Sequence, residues 1–168
     1  MHDENREPVG GPGARYLRWV ADDVSFSRPV IVAAFEGWND AGDAASSAVR
    51  HLGDRLDAQL IAEIDPEEFF DFTSTRPNVH ILDGTARRIE WPSIQFRGVS
   101  GSGCELITLL GTEPQLKWRT FCESVLTVAR ETNARMVVTL GALLAEVPHT
   151  RPTTVFGTSY DPVVADEL

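Results

Sequence analysis

VIVAAFEGWNDAGDAASSAVRHL, residues Val30–Leu52, decides the fold. Its first six residues, VIVAAF, are an unbroken apolar and partly β-branched run, the pattern of a strand buried on both faces. Gly37 and the Asn39-Asp40 pair then break the strand. Asp40 or Asn39 is placed to cap a helix whose apolar side chains are Ala44, Ala45, Ala48, Val49 and Leu52. Strand, tight turn and helix make the opening half of a βαβ unit, so the class is α/β. Open α/β sheets bind ligands at the carboxyl ends of their strands, which makes this turn the first place to look for function.

The chain of 168 residues is long enough for one domain with a sizeable core, and its 42% hydrophobic content is ordinary for a globular protein. Twenty-five acidic residues against 15 lysines and arginines give a net charge of -10. A field of that sign repels phosphate backbones and anionic lipid, which argues against nucleic-acid and membrane-surface roles. Cys104 and Cys122 lie in apolar segments, outside any C-x-x-C or Cys/His cluster, and read as reduced core residues. The first residues carry no apolar signal region, and no window approaches the roughly 18 apolar residues of a membrane span. A cytoplasmic protein without an anchor is expected.

Working outward from Val30–Leu52, residues 1–14 combine Pro8, Pro12 and three glycines with charges, the composition of a mobile tail ahead of a single domain over 15–168. Tyr16 to Ala21 suits an edge strand. Leu60–Ile64, closed by Asp65-Pro66, is a second strand after the helix, giving β, α, β. In the next segment Val79 and Ile81 alternate with polar residues, Asp83-Gly84 supplies a turn, and Ile89 and Trp91 alternate on the return, a β-hairpin that Pro92 ends. Ser100 to Gly103 reads as a flexible connector. Cys104–Leu110 is a buried strand. Thr112 as cap and Pro114 in the first turn then introduce a helix marked by Trp118, Phe121, Cys122, Val125 and Ala129. Met136–Leu140 is another buried strand ending at Gly141. Leu143, Leu144 and Val147 suggest a short helical turn, Thr153–Phe156 a further strand, and Asp161-Pro162 a capped helix start. That last helix stops at Leu168 after barely two turns, too short to stand alone, so sequence beyond Leu168 is expected in the complete protein.

Glu36, Asp40 and Asp43 surround the opening turn. Together they read either as a cation or acid/base site, or, preferred here, as Asp40 and Asp43 complementing the positive helix end with Glu36 in solvent. Acidic side chains at that helix end would also repel a phosphate. Trp38 beside Gly37 reads either as the cover of a pocket or partner surface or as packing over the sheet edge. His149, Thr150 and Arg151, between Pro148 and Pro152, form a second polar cluster, best read as a rigid surface loop. Together with Gly141 these residues define the candidate pocket or partner surface. Phe69, Phe70, Phe72 and Trp91 are candidate oligomer contacts, or else fill the domain's own core. No nucleophile elbow, P-loop, H-E-x-x-H or zinc spacing occurs, so no catalytic residue, metal or cofactor is assigned.

Five motifs carry a resemblance: FEGWNDAGDAAS (Phe35 to Ser46), AEIDPEEFFDFTSTRP (Ala62 to Pro77), RRIEWP (Arg87 to Pro92), GTEPQLKWRTF (Gly111 to Phe121) and TLGALLAEVPHTRPTTVFGTS (Thr139 to Ser159). In this order and spacing they resemble the proteasome assembly chaperone 2 family in its actinobacterial form. The resemblance implies a nucleoside-phosphorylase-like fold, a three-layer sandwich with a mixed, mostly parallel central sheet and an inserted β-hairpin. Relatives in eukaryotes assemble the proteasome α-ring as heterodimers, and archaeal ones bind or assemble proteasomes as homo-oligomers. An oligomeric, non-enzymatic interaction protein follows, with a homotrimer suggested by fold analogy and proteasome subunits as candidate partners. The alternative it implies is a nucleoside-like small-molecule binder or enzyme using a pocket between the Glu36–Asp43 turn and the Gly141–Arg151 loop. Family members continue past the position of Leu168 through a glycine-rich T-G-I-x-G motif. Proteasome-binding relatives end in a hydrophobic residue, a tyrosine and one last residue, which Asp166-Glu167-Leu168 does not match.

Overall fold

The computed structural model describes residues 13–20, 25–82, 84, 86–101 and 104–166. Most of the expected tail, Ala21, Asp83, the Ser102-Gly103 part of the connector and the closing Glu167-Leu168 lie outside the described residues.

Strand β2 (Val30–Glu36) sorts the core into two parts. Ile31 and Ala33 belong to the larger buried cluster, with Phe35 packed against it, whereas Ala34 belongs to a smaller cluster with Val32. Successive side chains leave a strand on opposite faces, so β2 is covered on both sides. Phe121 and Val128 of α2 (Trp118–Glu131) complete the larger cluster, and Ala45 and Val49 of α1 (Ala44–Arg55) the smaller. The two helices therefore lie on opposite faces of one sheet, giving three layers.

That sheet also holds β1 (Leu17–Trp19), β3 (Gln59–Ile64), β6 (Ile94–Val99), β7 (Leu106–Thr112) and β8 (Met136–Leu140), in the order β1-β3-β6-β7-β2-β8. β2 pairs in parallel with β7 and β8, while β1–β3, β3–β6 and β6–β7 are antiparallel. Four of the six strands, β2, β3, β7 and β8, thus run the same way. The crossover from β2 through α1 reaches β3 beyond two intervening strands. A separate antiparallel hairpin, β4 (Asn78–Leu82) with β5 (Ala86–Glu90), pairs Val79 with Ile89 and His80 with Arg88.

Several local expectations shift. β6 had no counterpart in the sequence reading, although IQFRGV alternates: Ile94, Phe96 and Gly98 are buried while Gln95 and Arg97 face the other side. Thr112 ends β7 rather than capping a helix, and α2 starts after Lys117, which adopts a left-handed conformation (φ 49) without a side-chain cap. Both cysteines are free and exposed rather than in the core. Cys104 precedes β7, and Cys122 lies off the buried stripe formed by Phe121, Ser124, Thr127 and Val128. The stretch 143–159 contains neither the expected turn of helix nor a strand. The Asp161 carboxylate, by contrast, accepts from the Val163 amide at 2.9 Å and opens α3 (Pro162–Ala165), with Pro162 in its first turn.

Candidate functional site

At the carboxyl end of β2, Gly37 takes φ 148, and an added Cβ there would meet Glu113 Oε2 at 3.1 Å. Only glycine makes this exit from the strand without strain. The turn returns through Trp38 and Asn39, and Asp40 N–H donates to the Gly37 carbonyl at 3.2 Å. A short 3-10 turn, Ala41–Asp43, then leads into α1, with Asp43 left-handed at φ 54.

The three carboxylates of this turn do not gather. Asp40 points back at the helix, its Oδ1 accepting from Ala45 N–H at 2.7 Å and its Oδ2 from Ser46 N–H at 3.2 Å. Two of the unpaired amides that every helix start presents are thereby satisfied. Burial pushes the Asp40 carboxyl up, but the Ser46 hydroxyl, these two amides and the nearby Arg50 charge together hold it below its ordinary value. Glu36 forms an ion pair with Arg50 at 2.6 Å, and Asp43 is exposed. Among the described residues no group of three His, Cys, Asp or Glu side chains could hold a metal ion.

The same turn is joined to the segment after β8. Asp40 and Ala142 form a parallel bridge, with Ala142 N–H donating to the Asn39 carbonyl at 2.8 Å and Ala41 N–H to the Ala142 carbonyl at 3.0 Å. Gly141 makes this junction tight, since a Cβ would sit 3.3 Å from the Asn39 carbonyl oxygen and the turn would have to give by a few tenths of an ångström. Asn39 Oδ1 is buried and finds no donor among the described residues. Trp38 stands 88% exposed, so it does not pack over the sheet edge. Leu143, Leu144 (92% exposed), Val147, Val155, Phe156 (88%), Tyr160 and Val163 follow as a run of uncovered apolar side chains. His149, Thr150 and Arg151 lie within this run, in an exposed turn closed by Arg151 N–H on the Pro148 carbonyl at 3.0 Å. Gly37–Asp43 and Gly141 are therefore brought together, while among the described residues no hydrogen bond or ion pair joins His149–Arg151 to the turn.

The four aromatic candidates divide. Phe69 and Phe70, 0% and 3% exposed, fill this domain's core, Phe69 lying edge-to-face with Tyr16 and Phe121 at centroid distances of 5.1 and 5.6 Å. A fully buried ring has no surface for a neighbour, so these two drop out as oligomer contacts. Phe72 is half-buried against Trp91 at 5.1 Å, and Trp91 keeps 52% of its surface.

A cavity of about 490 Å³ lies between α1, the base of the hairpin and the β6–β7 part of the sheet, with Glu36 at the end of β2 on its wall. Arg50, Asp54, Arg76, Trp91 and Arg97 are among its lining residues. Sequence reasoning missed it because the floor comes from β6. The available signal was the alternation in IQFRGV, whose polar positions Gln95 and Arg97 both line the cavity.

A three-layer α/β sandwich with a mixed sheet, an attached hairpin and a partly uncovered apolar rim is thus the class of protein at hand. The model of the PAC2 family matches residues 34–168. Among solved structures, a proteasome-assembly chaperone homologue of Mycobacterium tuberculosis is 44% identical, with a TM-score of 0.76 over 82% of this chain and 59% of its own. A PAC2 family protein of Streptomyces avermitilis is also 44% identical, with a TM-score of 0.74 over 83% and 60%. A M. tuberculosis protein of unknown function is 32% identical, with a TM-score of 0.76 over 90% and 54%. No match is found among curated proteins. The chain belongs to the PAC2 family. It spans 59% and 60% of the length of the first two relatives.

Proposed function

We propose that this is a non-enzymatic, self-associating interaction protein that acts in proteasome-related assembly. The observation that carries the reading is the run of exposed apolar side chains from Leu143 to Val163, tied at Ala142 to the turn that displays Trp38. Soluble monomers rarely leave large contiguous apolar patches uncovered, and such patches mark surfaces for association. The turn's acidic residues support the same reading, because Asp40 and Glu36 are spent on the helix start and on Arg50. Kinship with a protein named as a proteasome-assembly chaperone homologue supports proteasome subunits as the partner, and the working form proposed is a homo-oligomer, a trimer by fold analogy. Among the described residues no helix is long and apolar enough to cross a membrane.

The test is direct mixing with purified actinobacterial 20S α-subunits, followed by sedimentation velocity. Co-sedimentation at stoichiometric ratio supports the role. Separate boundaries at concentrations where the α-subunits themselves assemble would reject it.

A further inference from the structure

We propose that the cavity between α1 and the hairpin base binds a small molecule that carries an oxyanion on a flat ring. Its volume, about 490 Å³, falls in the range of small-ligand sites. The charges on its walls are unequally engaged. Glu36 is ion-paired with Arg50, and Glu90 is hydrogen-bonded to the His80 ring, each at 2.6 Å. Arg76 uses only its Nε, on the Thr73 carbonyl at 3.3 Å, and the Arg97 guanidinium has no partner among the described residues. Asp54 lines the same space and forms no ion pair with either arginine. Two guanidinium groups with unspent donors therefore share one cavity in a chain whose net charge is -10. A planar fork of donors matches carboxylate and phosphate oxygens in pairs.

The ring is inferred from Trp91. It lines the cavity, retains half its surface and is held edge-to-face by Phe72. An indole fixed in this way is a stacking partner for a flat ligand, while Ser93 and Thr112 add hydroxyls to the wall. Gly53 on α1 and Thr108 on β7 also line the cavity. This site is separate from the apolar run, so each can fail without the other.

Calorimetric titration of the full chain with adenosine monophosphate, benzoate, adenosine and inorganic phosphate tests the assignment. Either ring-bearing anion should bind more tightly than adenosine or phosphate, and the comparison of the first two tells phosphate from carboxylate. Arg97→Gln and Arg76→Gln should each weaken that binding by about tenfold, with Leu144→Ser unchanged. Thermal denaturation of the variants checks that they remain folded, as the exposed side chain of Arg97 predicts. No heat with any ring-bearing anion, or binding that is equal in Arg97→Gln, would overturn the proposal.

Discussion

The Asp40 carboxylate, 4% exposed, receives the Ala45 amide at 2.7 Å, so the residue that ends the first turn also starts the helix behind it. Asp40→Ala should cost about 1–2 kcal/mol, the usual value of a lost helix cap, or a few degrees in melting temperature for a domain of this size. Asp40→Asn keeps an acceptor and should cost less. The folded-state pKa of Asp40 lies below its ordinary 3.8. Its contribution to stability is therefore complete above about pH 3.8 and is lost as pH falls through the lower folded value. Acid titration of the melting temperature should show wild type and Asp40→Asn converging there, whereas a constant gap across that window would contradict the assignment.

Gly111 in β7 is a second point of close approach. A Cβ at this position would lie 2.7 Å from the Ser93 carbonyl oxygen and 2.9 Å from Ile94 Cα, both backbone atoms that cannot swing aside. Gly111→Ala should destabilise by about 1–3 kcal/mol through overpacking. Urea unfolding would register this as a lower midpoint at unchanged slope.

Phe69 and Trp91 should separate core from surface. Phe69→Ala removes a fully buried ring and its edge contacts, for a loss of about 3–5 kcal/mol. Trp91→Ala gives up mainly the contact with Phe72 and should cost about 1 kcal/mol. Equal losses in chemical denaturation would mean that Trp91 is as much a core residue as Phe69.

Leu144 and Phe156 project from the run after β8 with almost all their surface in solvent. Substitution of both by Ser should leave the unfolding free energy within about 1 kcal/mol of wild type, while reducing self-association in sedimentation velocity. A large loss of stability would show that these side chains pack within their own domain.

Much of the fold was legible where one pattern dominated. VIVAAF and QLIAEI announced β2 and β3 because apolar, β-branched runs need covered faces. RMVVTL announced the strand β8 but not its surroundings: β8 lies at the sheet edge and none of its five residues is buried, against the buried strand expected there. Asp161-Pro162 announced a helix start because a side-chain acceptor and a missing amide fit only there. β6 was obscured by Pro92 and by its own polar residues, since Gln95 and Arg97 face a cavity rather than a helix. Phe69 and Phe70, left open between core and interface, and the cysteines, placed in the core, were illegible for a different reason. Residue type does not say which side of a loop or helix meets the core, and Phe69 is buried by Tyr16 and Phe121, distant in sequence. The site was half legible: Gly37–Asp43 meets Gly141 through the Asp40–Ala142 bridge, a pairing that needs the strand order, which no local pattern contains.

The claim that this is an interaction protein is tested most directly by hydrogen–deuterium exchange of the chain with and without purified actinobacterial 20S α-subunits. The amides of residues 142–163 and of the Gly37–Asn39 turn should become protected in the mixture, with the hairpin strands unchanged. Exchange that stays the same throughout 142–163, at α-subunit concentrations well above that of the chain, would contradict the account.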